Sequence, residues 1–326
     1  MLRLNKTIAL SVFTACLAAS TPGDAQAPES TATAEVQSLD KGLADVIYLA
    51  GLPDAKPRIK GVLILTPNAL SFTSEGVHAL IPLKRIFAVS IGDERVERGG
   101  TTGQIARKII PYGGGAALGA ASQHSVDLLT IEYRDPHDGY HGTVFVLPTK
   151  QALALQQRML AQIQPPATVT PQVCPAGAAA PNSVLLAPIV VEGVDLPAEY
   201  RVLLYEHLLT ALRQSRPADT FFRDGDVSAG PGCAALTLHL STDDFKKGNQ
   251  AVRASTGPLG LFLGTTSLSF RLKLDAPDGK LILEAKLKKS KRGDSDSLNL
   301  AQSIAKDISK RIDKALKKSK ASGSTV

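Results

Sequence analysis

The sequence has no tryptophan, few other aromatics and three cysteines. Its 326 residues include 6 Tyr and 9 Phe, so aromatics make up 5% of the chain. Stacking platforms for single-stranded nucleic acid or sugars are therefore poorly supplied. Lys and Arg exceed Asp and Glu by 37 to 30, but no basic cluster sits in a nucleic-acid-reading motif. We expect no nucleic acid partner; the net charge of +7 either favours anionic surfaces such as phospholipid headgroups or lipopolysaccharide, or serves only solubility.

Long hydrophobic runs are also missing, because no segment after the N-terminus approaches the length of about 20 apolar residues that a membrane-spanning helix needs. Residues 1–27 instead have the pattern of an export signal. Arg3 and Lys6 precede a short apolar stretch, and Ala25-Gln26-Ala27 fits a signal peptidase site, with cleavage near position 19 or 20 as the alternative because Pro28 follows. We expect an exported protein of the periplasm or outer membrane, with no transmembrane span in the mature chain.

Cys16 ends the sequence Phe-Thr-Ala-Cys, which resembles a bacterial lipobox whose cysteine is acylated. Phe13 departs from the usual leucine, and an ordinary signal peptide that contains a cysteine is the alternative. Either way Cys16 is not available to the fold, so Cys174 and Cys233 are candidates for one disulfide. Two unpaired thiols are the other interpretation, and two cysteines alone form no zinc site.

Composition divides the chain into a signal peptide (1–27), a spacer (28–43), a first domain (44–163), a Pro/Ala-rich linker (164–182), a second domain (183–318) and a disordered tail (319–326). The linker has no apolar periodicity, which predicts an extended tether. In the first domain, short apolar runs at 60–66, 69–74, 77–83, 86–91, 126–133 and 143–147 predict strands. The spacing of Ala152, Leu155 and Met159 predicts a closing helix.

The sequences KGVLILTPNALSFTS at 60–74 and IPLKRIFAVSI at 81–91, together with that helix, resemble the pleckstrin-homology-like fold and its GRAM-type relatives. The resemblance implies a β-barrel with a closing helix. Ligands of that superfold range from lipid headgroups to peptides, so it implies no particular function.

The second domain reads as α+β, a mixed sheet packed by two helices. Strands are predicted at 183–191 and 234–240, a hairpin at 268–275 and 280–289, and helices at 197–214 and 298–318. Pairing Asp275 with Lys280 makes one face of the hairpin apolar and puts Arg271 opposite Glu284 on the other face.

The segment GNQAVR at 248–253, the glycines at 257, 260 and 264, and the sequences LDA at 274–276 and DGK at 278–280 resemble the bacterial family called domain of unknown function 4410. Its members are exported, and many are assigned as lipoproteins. Leu-Phe-Leu at 261–263 departs from the family's glycine-rich segment. The family has no established activity, so the resemblance implies no catalytic residue and no cofactor.

Two other segments attract attention as ligand sites. GGGAALGAA at 113–121 lacks the Lys-Ser/Thr of a phosphate-binding loop, which leaves a flexible insertion or an element lying on a membrane. His137 and His141 with Asp135 and Asp138 imitate a metal cluster, but they lie in a loop of turn-forming residues. We expect no metal.

The cations of the hairpin are the candidate anion-binding residues: Arg271, Lys273, Lys286, Lys288 and Lys289. The predicted register puts the first four on the outer face, which suits an anionic polymer or lipid headgroup. A solvated face that protects a strand edge is the alternative. The sequence therefore predicts a non-enzymatic cell-envelope protein that binds an unidentified protein partner or an anionic component. A lipid-surface or lipopolysaccharide-handling protein is the alternative, and a hydrolase comes third.

Overall fold

The computed structural model describes residues 42–97, 123–147, 151–163, 179–226, 233–246, 266–291 and 299–321, which form two sheets and three α-helices. The predicted α+β class is confirmed. The first sheet contains β1 (Leu43–Ala50), β2 (Ile59–Leu65), β3 (Ala69–Ser74), β4 (Val77–Pro82), β5 (Ile86–Glu97), β6 (Gln123–Arg134) and β7 (Tyr140–Leu147), followed by α1 (Gln151–Leu160). The second contains β8 (Ala180–Leu186), β9 (Val190–Val191), β10 (Thr220–Arg223), β11 (Ala234–Lys246), β12 (Thr266–Asp275) and β13 (Leu281–Lys291), with α2 (Ala198–Ser215) and α3 (Asn299–Ala321).

The first sheet is antiparallel, in the order β4-β3-β2-β1-β7-β6-β5. β1 pairs with both β2 and β7, so the first and last strands of the sheet lie side by side. β4 and β5 are the outer strands, and no ladder joins them within the described ranges. The predicted closed barrel is therefore not found. Pro82, which ends β4, has no N–H for a ladder, and a 3-10 turn at Leu83–Arg85 separates the two strands.

The core of the first sheet lies under α1. Ala152, Leu155 and Met159 are at most 2% exposed, which confirms the predicted helical stripe. Tyr48, Phe72 and Phe145 form an aromatic cluster on the strands, with ring centroids 5.4 to 6.0 Å apart. Such tilted pairs add to the stability that burial alone provides.

The second sheet is mixed, as predicted. β8 lies between β10 and β11 in parallel, and β11, β12 and β13 continue as antiparallel neighbours, with β9 beside β11. α2 packs against α3 and β10, and α3 packs against β13. The apolar stripe of α3 is fully buried at Ala301, Ile304, Ala305, Ile308 and Ile312. These apolar positions recur at helical spacing, so one face of α3 can meet the sheet and α2.

The β12–β13 hairpin has the predicted faces but not the predicted register. Arg271 pairs with Lys286 instead of Glu284, so β13 is displaced by two positions. The turn, where Gly279 has a left-handed φ of 82°, accounts for one position of this displacement. An irregularity in the ladder beside Asp275 accounts for the other. Because two single-residue displacements add to an even number, the apolar side chains stay on the buried face.

The two halves of the structure share one apolar core. We call the described parts of 42–163 the first module and those of 179–321 the second. Tyr140 and Val144 of β7 lie in one buried cluster with Tyr200 and Val202 of α2. The rings of Tyr140 and Tyr205 meet edge to face, with centroids 4.7 Å apart. The predicted tether therefore connects modules that are packed together, and β8 begins at Ala180, inside the predicted linker.

A buried ion pair lies at this module interface. Glu206 of α2 and Arg223 of β10 are joined by two hydrogen bonds of 2.7 Å, and the residues are 5% and 7% exposed. The first module adds two further hydrogen bonds to this pair. The Gly142 N–H donates to Glu206 at 3.1 Å, and the Tyr140 carbonyl accepts from Arg223 at 2.9 Å. Gly142 allows this approach, since a Cβ there would lie 2.6 Å from Val202.

Two further ion pairs surround the first and also join the modules. Arg201 of α2 contacts Glu132 of β6, whose other oxygen accepts a 2.7 Å hydrogen bond from the Tyr140 hydroxyl. Arg134 of β6 lies 3.0 Å from Asp224, just after β10. The interface is thus polar at specific points within an apolar contact, which fixes the relative orientation of the modules.

Candidate functional site

Four of the predicted anion-binding cations are exposed on the outer face of the β12–β13 hairpin: Arg271, Lys273, Lys286 and Lys288. The fifth, Lys289, is not on that face. It pairs with Leu268, whose side chain is buried on the opposite face, and its Nζ lies 2.6 Å from Asp307 Oδ2 on α3. Side chains alternate along a strand, so Lys288 and Lys289 cannot belong to the same surface.

Each cation of the outer face has an acidic neighbour. The N–O distances are 3.0 Å for Lys286–Asp243, 2.8 Å for Lys288–Asp244, 3.3 Å for Lys273–Asp275 and 3.5 Å for Arg271–Asp243. The hydrogen bond from Lys286 lowers the pKa of Asp243, and the bond to Asp244 raises the pKa of Lys288. Glu192 also lies 3.8 Å from Arg271. Four cations therefore face four carboxylates, and little net charge is left for an anionic ligand.

A different basic surface lies where the hairpin meets the C-terminal part of α3. Arg311, Lys314 and Lys318 are exposed along one side of the helix and face the start of β13. In the part of the chain that the structure describes, no carboxylate lies within ion-pair distance of these three cations. Their charge is thus available to a ligand.

The space between these cations has an apolar floor of Leu281, Ile282, Leu283 and Ala315, and Lys280 lies at its edge. Leu281 is 47% exposed, and the groove has a volume of about 480 Å³. We call this space the basic groove. An apolar floor under a cationic rim suits a ligand that is both apolar and negatively charged.

The basic groove was not predicted from local spacing, because Arg311 has an acidic residue four positions before it in the sequence. Spacing four residues apart predicts the pairs Asp307–Arg311 and Asp313–Lys317. The second is present at 2.8 Å, but Asp307 binds Lys289 of β13 instead. The signal that could have found the groove is the recurrence of cations at 311, 314 and 318, on one face of a helix.

The histidine-containing loop between β6 and β7 is organised by turn chemistry. Asp135 accepts hydrogen bonds from the backbone N–H groups of His137 at 2.8 Å and Gly139 at 3.0 Å, and its other oxygen lies 3.0 Å from His141 Nε2. Although burial opposes the change, these contacts lower the pKa of Asp135; burial lowers the pKa of His141. No group of three or more His, Cys, Asp and Glu side chains within the described ranges is arranged to hold a metal.

Some predicted features lie outside the described residues: the signal peptide at 1–27, Cys16, the segment at 113–121 and Cys174. Cys233, just before β11, is 3% exposed and disulfide-bonded. Its pairing with Cys174 stays a prediction. None of the helices that the structure describes combines the length and apolarity needed to cross a bilayer.

Comparisons with known proteins give little beyond this geometry. No family model and no curated protein matches the chain. Solved structures that match in part include a PelC dodecamer from Paraburkholderia phytofirmans in two space groups. Each is 14% identical with a TM-score of 0.30, and the matches cover 42% and 40% of this chain and 88% and 86% of theirs. A Xanthomonas campestris protein of the family of unknown function 330 is 13% identical with a TM-score of 0.30, over 49% of this chain and 94% of its own. Similarity at this level carries no argument about function.

Proposed function

We propose that this chain is an exported, non-enzymatic binding protein of a bacterial-type cell envelope, and that it recognises an anionic amphiphile. The observation that carries the proposal is the basic groove, where Arg311, Lys314 and Lys318 lie beside an apolar floor with no carboxylate of the described residues within ion-pair distance. Export is supported by the N-terminal pattern of charge, apolar stretch and small residues.

The choice between this groove and the outer face of the hairpin follows from charge. A cation that is already paired with a carboxylate gives up that interaction when it binds a ligand, so its net contribution is small. Lys286 and Lys288 are in this position. A cation near an anionic lipid surface that has no acidic neighbour contributes about 1 kcal/mol to binding.

The apolar floor favours an amphiphile over a purely ionic polymer. Leu281 is half exposed and lies beside the helix that carries the cations. Covering such a side chain with an acyl chain gains about 25 cal/mol for each Å² of apolar surface removed from water. A lipid with a phosphate or carboxylate headgroup satisfies both parts of the groove.

We also infer that the first module is a pleckstrin-homology-like unit. The support is its strand order, in which β1 pairs with β7 and the sheet opens between β4 and β5, together with α1 packed on its core. A seven-stranded meander that curls until its first and last strands pair has this order. The assignment adds no ligand, because that superfold binds many kinds of molecule.

The test compares two double variants that remove the same charge. Arg311→Gln with Lys314→Gln should weaken binding to vesicles of phosphatidylglycerol and phosphatidylcholine by roughly 30-fold, from about 2 kcal/mol of lost attraction. Lys286→Gln with Lys288→Gln should change binding less than about threefold, because those lysines are already paired. Vesicle co-sedimentation measures both, and circular dichroism checks that each variant is folded.

Added salt should weaken the wild-type interaction. Leu281→Gln should weaken it without changing the charge, since it removes apolar contact. Equal losses in the two double variants would mean that net charge alone matters and would remove the groove as the site. Wild-type protein that does not bind anionic vesicles would contradict the proposal itself.

A further inference from the structure

A separate cleft lies between the modules, away from the basic groove. Its volume is about 470 Å³, within the range of small-molecule sites. The first module contributes the end of β1 and the loop from Gly51 to Pro57, together with His141; the second contributes one side of α2, Arg223 and two residues of α3. An occupant of this cleft would contact both modules at once.

The lining of the cleft includes the buried ion pair of the module interface. Glu206 and Arg223 lie there, and their charges are balanced by the two hydrogen bonds that join them. His141 also lines the cleft; its Nε2 is bound to Asp135, while its Nδ1 is buried without a hydrogen-bond partner in the described part of the chain.

The sides of the cleft carry an excess of positive charge. Glu206 and Arg223 together are neutral. The other charged residues of the lining are two cations, Arg213 and Lys306, and one acid, Asp54. Neither cation has an acidic side chain within ion-pair distance among the described residues. The remaining polar groups are uncharged hydrogen-bonding side chains: Thr210, Gln214 and Gln302.

His207 lies one turn before Thr210 and Ala211 on α2 and also lines the cleft. Burial lowers its pKa, and the charges of Arg58 and Lys306 lower it further, while Glu206 opposes the change. The electrostatic environment at this ring therefore includes two cations and one carboxylate whose charge is already balanced. Arg58 is held in place by a 2.7 Å hydrogen bond to Asn299 at the start of α3.

We propose that the cleft is a second binding site, which takes a small polar molecule carrying a phosphate or carboxylate group. The oxyanion is bound by the cations of the lining, Arg213 and Lys306, and the uncharged part of the molecule is hydrogen-bonded by the hydroxyl and amide groups of the lining. This site is independent of the basic groove: its ligand is small and hydrophilic, and its residues come from both modules.

The experiment is calorimetric titration of the mature, full-length protein with three probes: inorganic phosphate, succinate and glucose. Phosphate or succinate should bind, glucose should not, and Arg213→Gln with Lys306→Gln should weaken anion binding at least tenfold, as the loss of charge-assisted hydrogen bonds requires. The matched control is Lys310→Gln, which removes a cation from an exposed position on α3 that does not line the cleft. It should leave the affinity within about twofold of wild type.

A second measurement does not depend on the variants. Bound anion should raise the pKa of His207 in an NMR titration, because negative charge next to the ring favours its protonated form. The anion that binds more tightly identifies which oxyanion the cleft prefers. Three results would overturn the proposal: no binding of either anion, glucose binding as tight as theirs, or equal weakening by Lys310→Gln and by the double variant.

Discussion

Removal of Arg223 from the module interface should destabilise the whole protein. Its guanidinium holds the Glu206 carboxylate by two hydrogen bonds of 2.7 Å, and both residues are almost fully buried. In Arg223→Met the carboxylate would keep only the Gly142 N–H as a described donor. Breaking a buried pair in this way costs about 3–5 kcal/mol. A natural domain has about 5–15 kcal/mol in all, so the loss is a large fraction of the total.

The reason for the loss can be tested by removing the second charge. Glu206→Leu in the Arg223→Met background removes both charges of this pair, and we expect at least about 1 kcal/mol of the lost stability to return. Recovery will be incomplete, because the Gly142 N–H and the Tyr140 carbonyl lose their partners, at about 1–3 kcal/mol each. The single variants and the double variant together give the coupling energy of the pair.

Urea unfolding followed by circular dichroism gives these free energies, with the disulfide kept oxidised in every sample. Arg271→Met is the matched control, since it removes an exposed, ion-paired arginine and should cost less than about 1 kcal/mol. If Arg223→Met lowered the free energy of unfolding by no more than Arg271→Met does, the Glu206–Arg223 pair would be exposed to water. The packing of the two modules through β7 and α2 would then be refuted.

Four further predictions follow from other features. Gly142→Ala should cost about 1–3 kcal/mol in thermal unfolding, because its Cβ would lie 2.6 Å from the buried Val202; an unchanged stability would mean a looser interface. Burial lowers the pKa of His141 below its ordinary value of 6.5. The protein should therefore lose the stability that neutral His141 contributes as the pH falls from about 6.5 through the folded-state pKa. His141→Phe should make the free energy of unfolding less dependent on pH in this range. Cys174 and Cys233 should show no free thiol after denaturation without reductant; two titrating thiols would contradict the pairing. Mass spectrometry should place the mature N-terminus at or after position 16, and an intact N-terminus would exclude export.

Local sequence patterns predicted the strands and helices themselves better than they predicted how neighbouring strands pair. The faces of β12 and β13 follow from alternation, but their register depends on Gly279 and on an irregularity beside Asp275, which alternation does not report. β1 was not predicted. Asp45 has a left-handed φ of 57° and the ladder shifts between Leu43 and Val46, so the alternation of Val46–Ala50 does not continue back to the start of the strand.

The candidate sites depended on contacts between segments that are far apart in the sequence. The acids that neutralise the hairpin, Asp243 and Asp244, lie in the second half of β11, beyond the predicted end of that strand at 240. Only the pairing of β11 with β12 brings them beside the lysines. In the same way, Asp307 prefers Lys289 of a neighbouring strand to Arg311 of its own helix. Local spacing gives candidate partners, and tertiary structure chooses among them.

The sequence of α2 contains a pattern that indicates the module interface. Leu204, Leu208 and Leu212 recur at helical spacing and account for one side of α2, yet Val202, Tyr205 and Glu206 are buried as well. A helix that is buried nearly all round must be covered on more than one side. That pattern, found in a segment flanked by a Pro-rich linker, could have predicted that a second layer of structure packs on α2.

The burial of α2 on both sides has a consequence for how this chain can be divided. A protease that cut only between 164 and 173, before Cys174, would break the covalent connection, but the fragments would remain associated through the burial of Tyr140 and Val144 and the hydrogen bonds of Tyr140 and Gly142. A first module expressed alone would present those apolar side chains to water, and it would aggregate or unfold. The boundary visible in the composition therefore does not divide the protein into two independent units, and the smallest unit that can fold and persist contains both sheets.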